Sequence, residues 1–334
     1  MTLASSRQFW QEALLDLITD PKELFELLEL DTDLLPAAYE ATKLFPLKVT
    51  RSFVARMQKR NIHDPLLKQV LPLGIELANV AGYEKDPLQE TKSAVNPVPG
   101  LLHKYAGRVL VTLTSACAIH CRYCFRRHFP YSENNPGRKG WEKIFAYIDE
   151  NKNIHEVILS GGDPFSMSDK VLKSFTDQLN LIPHVSIVRV HTRLPIVLPE
   201  RITDDLLNWM KQLKQSLAIV VHTSHPQEIN DEVRFALAKV RETNASLLNQ
   251  SVLLKSINDD ADTLVMLSRA LFAAGVLPYY LHVHDKVAGT AHFDIPLEQA
   301  QSLHRELVKR LPGYLVPRLV RETANEVSKV NLAW

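Results

Sequence analysis

The stretch Cys117-Ala-Ile-His-Cys121-Arg-Tyr-Cys124 holds every cysteine in the chain. Thiolates spaced by three residues and then two can wrap one face of a cubane iron–sulfur cluster, because the loop is short and the ligands are soft. No fourth cysteine exists to close a [4Fe–4S] cluster, so one iron is left for a ligand from outside the protein. Zinc is the competing occupant. It wants four ligands, and although His120 and His128 are at hand, neither sits at the usual finger spacing. Three buried thiols are the plain alternative, since free cysteine packs as a small hydrophobe. Three such residues within eight positions, with none elsewhere, is not a core pattern.

The rest of the chain bounds what can surround such a loop. Its 334 residues suit two domains, or one barrel with an appendage. Hydrophobic residues make up 46%, ample for a large core, and a net charge of +1 gives no global field favouring nucleic acid or a membrane surface. No apolar run is long enough to span a bilayer. The start, Met1 to Arg7, lacks the apolar stretch of a secretion signal. Few cysteines and an oxygen-sensitive cluster point to a reducing cytoplasm.

Two regions are expected, 1–103 and 104–334. In the first, Phe9, Leu14, Leu15 and Leu17, then Leu24, Leu27 and Leu28, fall at helical spacing. A further helix is expected from Ser52 to Arg60. Residues 76–103 carry Asp86-Pro87, Asn96-Pro97 and Pro99-Gly100, and read as a linker. From Arg108 onward, β-rich runs alternate with amphipathic helices, the pattern of parallel βα units. Strands are expected at Val109–Thr114, Glu156–Ser160, Ser186–His191, Ala218–His222, Leu247–Val252 and Pro278–Val283. Six units fall short of the eight of a closed barrel, so the expected fold is α/β, a partial (β/α)6 barrel with an N-terminal helical domain. Active sites in such folds gather at the carboxyl ends of the strands.

Polar residues stand at those ends. The first strand leads to the cysteines and Arg126-Arg127-His128, and the second to Ser160-Gly161-Gly162-Asp163, where paired glycines allow close backbone approach to a ligand. His191, His222 with His225, and Gln250 follow on the next three. The sixth ends His282-Val283-His284-Asp285, a grouping that invites a metal but is satisfied equally by a polar loop. Lys329, taken by itself, reads as a solvated surface lysine.

The C-x3-C-x2-C spacing, with aromatic Tyr123 before the last cysteine, resembles the signature of the radical S-adenosylmethionine (SAM) superfamily, in which the amino and carboxylate groups of SAM chelate the open iron. Ser160-Gly161-Gly162-Asp163 resembles the stretch that holds the SAM amino group there. From Lys104 onward the chain resembles the lysine 2,3-aminomutases, which also use pyridoxal 5'-phosphate (PLP). The shared words are Cys-x3-Cys-x2-Cys-x-Arg-Arg, Ser-Gly-Gly-Asp, Arg-x-Pro-x-Val-Leu-Pro-x-Arg-Ile-Thr, His-Pro-x-Glu-Ile, Asn-Gln-Ser-Val-Leu-Leu and Pro-Tyr-Tyr. The short tail, without further C-terminal cysteines, is similar to the bacterial form that supplies (R)-β-lysine for modifying translation elongation factor P.

The resemblance implies an isomerase acting on L-lysine, a [4Fe–4S] cluster held by Cys117, Cys121 and Cys124, and a reductant such as flavodoxin or ferredoxin. It implies Lys329 as the Schiff-base lysine for PLP, with Tyr105 and Arg108 contacting PLP. Arg126 would grip the substrate carboxylate, and Asp285 with Glu322 would hold the ε-ammonium. His222 and Gln250 would line the SAM site. It further implies a functional link to the enzyme that lysylates elongation factor P, a monomer or dimer, and no nucleic-acid or membrane partner. Three departures stand out: Glu322 replaces an Asp, Asn325-Glu326-Val327-Ser328 replaces a glycine-rich run, and Lys104 replaces an Arg near the PLP phosphate. The rival readings are a radical SAM enzyme of another class, acting on a peptide or RNA without PLP, and a zinc- or cluster-bearing interaction module.

Overall fold

Alternation along the strands decides which way each face of the sheet looks. Val111 and Leu113 are buried in the apolar core, whereas Arg108 and Leu110, out of phase with them, line an interior cavity. The same period of two recurs at Val157 and Leu159 against Glu156, Ile158 and Ser160. In this computed structural model, residues 9–134 and 137–333 are described.

The sheet has nine strands in sequence order: β1 Leu101–Tyr105, β2 Arg108–Thr114, β3 Glu156–Gly161, β4 Ile187–Thr192, β5 Ser216–His222, β6 Ser246–Leu253, β7 Leu277–Val283, β8 Arg318–Arg321 and β9 Val330–Asn331. Strands β2 to β8 run parallel, and β1 and β9 add antiparallel edges. The sheet does not close on itself, so the architecture is a partial barrel. The helices that cross between parallel strands are Gly137–Glu150, Asp169–Leu179, Asp204–Gln212, Asp231–Arg241, Ala261–Ala273 and Leu297–Arg310. Three of them begin on a side-chain cap: Thr203, Asn230 and Asp260 accept the N–H groups of Leu206, Val233 and Thr263.

All six expected strands form, within two residues of their expected bounds. Strands β1, β8 and β9 were not expected, because each is short and rich in polar residues. The helix expected over Ser52–Arg60 covers only Arg51–Val54. Buried Asp64 accepts the N–H groups of Gln58, Leu66 and Leu67, which draws the chain into turns instead. One apolar core runs from Trp10, Ile18 and Leu24 through Leu66 and Val70 to Val157, Val190 and Leu237. The N-terminal residues are thus packed against the barrel: Arg201 stacks on Trp10 at 4.2 Å, and Arg56 donates to Ile196 O at 2.7 Å. No helix is long and apolar enough to cross a membrane among the described residues.

Candidate active site

A cavity of about 310 Å3 runs along the inner face of the sheet. It gathers ten of the expected residues or their neighbours in the argument: Lys104, Tyr105, Arg108, Arg126, Ser160, His222, Gln250, Asp285, Glu322 and Lys329. The three cysteines and Gly161 to Asp163 are not part of its wall. Arg126 and Ser160 are where the two groups meet.

The β8–β9 hairpin delivers the lysine. Arg321 pairs with Val330, so the residues just outside that pair, Glu322 and Lys329, are set against each other. Lys329 Nζ donates to Glu322 Oε2 and lies 5.8 Å from the centre of the Tyr280 ring. The turn between them passes through Asn325 at φ 67°, in the left-handed region that asparagine tolerates better than most residues.

Charges alternate across the cavity wall. Arg126 Nε and Nη2 donate to Glu90 at 2.6 and 2.9 Å. Lys104 Nζ lies 2.8 Å from Glu90 Oε1 and 2.9 Å from Glu322 Oε1. Lys104 is therefore committed to two carboxylates. Burial alone would raise Glu322, but the Lys329 and Lys104 charges outweigh it and hold the carboxyl far below the usual range. Glu90 follows the same balance between burial and the charges of Arg126 and Lys104. Asp285 goes the other way: burial, then the nearby Glu322 charge, push its carboxyl up to about 7. Burial brings His222 and His282 down to about 3 and lowers His191, so all three line the wall as neutral rings.

An ammonium that docks on Asp285 pairs only with the ionised carboxylate. Above about pH 7 that form is already present; below it, docking must first remove a proton. Equilibrium binding of a ligand through such an ammonium is therefore expected to weaken about tenfold per unit as pH falls below about 7, and to level off above it. Asp285→Asn should flatten this slope. A parent profile already flat across that range would take Asp285 out of ammonium recognition.

At the end of β3, the glycines serve packing. Gly161 has φ +107°, and a Cβ there would lie 2.6 Å from Thr114 O; at Gly162 it would lie 2.3 Å from Ala116 O. Their absence of side chains lets β3 lie against the segment that leads into Cys117. Asp163 spends both oxygens on protein, Oδ1 accepting from Phe165 N and Thr192 Oγ1 and Oδ2 from Arg193 N and Leu194 N. What this stretch offers a ligand is backbone and Ser160, not the Asp163 carboxylate.

The cysteine loop is braced by the N-terminal region. His120 N donates to Lys48 O and Arg122 N to Gln69 O, each at 2.8 Å. The Arg122 side chain is fully buried, with Nε and Nη2 at 2.9 and 2.5 Å from Glu76, and Arg127 Nη2 reaches the same carboxylate at 2.8 Å. Arg193 Nη1 donates to Cys121 Sγ at 2.7 Å, while its Nη2 is held by Glu228 and Gln69. Burial pushes the Cys124 thiol up to about 11 and raises the Cys117 thiol well above its ordinary value. Thiols so placed need a bound cation to become thiolates, which iron would supply. Among the described residues, no three His, Cys, Asp or Glu side chains converge as ligands of a single ion. A cubane does not ask for that, since each thiolate meets a different iron. His120 Nδ1 and His128 Nε2 lie 2.8 and 3.0 Å from the carbonyls of Pro46 and Ala288, so each spends a ring nitrogen on protein.

Sequence reasoning missed Glu76, Glu90, Gln69 and Glu228. For Glu76 and Glu90 a signal existed: Arg122, Arg126 and Arg127 crowd one loop, and arginines buried there must each find a counter-charge.

Residues 111–259 match the family model of the Radical SAM superfamily. The L-lysine 2,3-aminomutase of Escherichia coli (strain K12) is 47% identical over 328 residues, covering 98% of this chain and 95% of that protein. Its counterpart from Haemophilus influenzae is 44% identical, covering 96% and 95%. That of Buchnera aphidicola is 42% identical, covering 97% and 95%. A solved type I 3-dehydroquinate dehydratase from Clostridium difficile aligns over 52% of this chain and 76% of its own at 13% identity, with a TM-score of 0.29, too low to bear on the argument.

Proposed function

Because this chain belongs to the L-lysine 2,3-aminomutase family of radical SAM enzymes, we propose that it converts L-lysine to β-lysine with PLP held on Lys329, and that the R product serves to modify elongation factor P. The observation that carries this reading is the meeting of Arg126, Asp285, Glu322 and Lys329 in one cavity beside the cysteine loop.

The cavity suits PLP. Arg108 lies 4.6 Å over the Tyr105 ring and has no carboxylate partner among the described residues. Arg189 Nε, His282 Nε2 and the Tyr105 hydroxyl are buried without a hydrogen bond of good geometry. Polar groups short of partners are costly unless a ligand satisfies them, and a phosphate-bearing ring would do so. When bound, SAM on the cluster would supply a carbon radical able to take hydrogen from an unactivated carbon, and PLP a ring that delocalises charge and spin at the migrating nitrogen.

The chain's own residues do the rest. Arg126 would fix the substrate carboxylate through paired N–H groups. Asp285 and Glu322 would fix the far ammonium, so that both ends of the substrate are set and Cβ has one position. The neutral rings of His191, His222 and His282 add no charge there.

Leucine offers no ammonium and would leave Asp285 buried without a cation partner, since Lys104 pairs with Glu322 and not with it. Turnover of leucine is expected to fall at least about a thousandfold below that of lysine in kcat/KM. Comparable turnover would refute the assignment of Asp285 and Glu322. The reading as a whole is tested by incubating anaerobically reconstituted protein with L-lysine, SAM, PLP and reductant, followed by chiral chromatography. (R)-β-Lysine that the elongation factor P lysylating enzyme accepts supports it. No β-lysine overturns the activity, and the S form, or refusal by that enzyme, overturns the downstream role.

A further inference from the structure

Arg126, read above as the grip for the substrate carboxylate, already carries a carboxylate. Glu90 takes its Nε at 2.6 Å and its Nη2 at 2.9 Å. Both side chains are buried, 4% and 8% exposed. A guanidinium has five N–H bonds. Nε–H and one N–H on Nη2 go to Glu90, and one on Nη1 faces Ser160 Oγ at 3.4 Å. One N–H remains on Nη1 and one on Nη2. With Ser160 on the Nη1 hydrogen that faces the side-chain stem, these two lie side by side on the Nη1–Nη2 edge, a fork that can meet a second carboxylate in a bidentate pair. The rings of Phe125 and Phe129, 4.7 and 5.9 Å from the guanidinium carbon, restrict its plane.

Two carboxylates on one cation would repel each other. Lys104 Nζ, 2.8 Å from Glu90 Oε1, brings the second positive charge. The same ammonium reaches Glu322 Oε1 at 2.9 Å, so one lysine bridges the acid behind Arg126 and Glu322.

We propose that Glu90 is a positioning residue for recognition of the substrate α-carboxylate: it holds the Nε–Nη2 edge of Arg126, with Lys104 offsetting its charge, and so turns the Nη1–Nη2 edge toward the cavity. This rests on the reading of Arg126 as the carboxylate grip. In this role Glu90 acts through the guanidinium.

The test is equilibrium dialysis on the cluster- and PLP-loaded protein with SAM and no reductant, so that nothing turns over. The two ligands are L-lysine and 1,5-diaminopentane, the same chain without a carboxylate. In Glu90→Gln, the Kd for lysine is expected to rise about 10–100-fold, while that for the diamine stays within about twofold. Glu90→Asp, which keeps the charge on a shorter arm, should restore part of the lysine affinity. Equal losses for both ligands, or unchanged lysine binding, would overturn the proposal. Should Glu90→Gln not fold, Glu90→Asp decides alone: a loss confined to lysine supports the proposal, and an equal loss overturns it. If the parent protein does not prefer lysine to the diamine, the reading of Arg126 fails and takes this one with it. If the parent does prefer it and Glu90→Gln keeps that preference, only the role of Glu90 fails.

Discussion

Lys329→Ala is expected to lose aminomutase turnover by at least about a thousandfold while its iron content stays at the parent level. The two effects separate because Lys329 sits in the β8–β9 hairpin on the cavity side, whereas the cysteines are held by the β2–β3 end and the N-terminal region. Removing the lysine takes one of two cations from Glu322, but Lys104 stays 2.9 Å away, so the carboxylate is not stranded and the fold should hold. Borohydride treatment of the PLP-loaded parent, then peptide mapping, should find a pyridoxyl group on Lys329 and none in the variant. Lys104 is the other lysine in the cavity wall. A pyridoxyl group that persists in the variant, mapped to Lys104, would move the anchor there and free Lys329 for recognition.

A second large effect falls on stability rather than chemistry. Glu76→Ala removes the carboxylate shared by Arg122 and Arg127, whose side chains are 0% and 1% exposed. Neither guanidinium can reach water without opening the packing around Phe45, over which both lie at about 5 Å. Stranding a buried charge in this way costs about 3–5 kcal/mol, and here two charges share the loss. Thermal unfolding should move down by several degrees, and iron incorporation should fall with it, because Arg122 lies between Cys121 and Cys124. An unfolding midpoint and iron content both at the parent level would show that other groups hold the arginines.

The sequence was most legible where one residue type has one use. Three cysteines in eight positions pointed to one chemistry without a fold, whereas the paired glycines, read as room for a ligand, serve the packing of β3 against the segment before Cys117. The six parallel strands and their helices could be read from period and caps, since a buried βα unit needs both an apolar strand and an amphipathic helix. Residues 76–103 misled. Their Pro and Gly content reads as linker, yet they supply Glu76 and Glu90, the counter-charges for three buried arginines, as well as most of β1. Composition sees the turns in such a segment and not what its acids face.

Lys329 shows the same limit from the other side. In one dimension it is a lysine in a polar tail. Two ladder pairs between β8 and β9, neither strand long enough to announce itself, place it opposite Glu322. The order of residues alone determined that this chain would carry a closely spaced cysteine loop at the head of a parallel αβ array, because cysteine spacing and side-chain period are local properties. Only the folded chain decided which acid faces which base, since ion pairs form between residues tens or hundreds of positions apart, and burial, not sequence distance, sets what each charge must find.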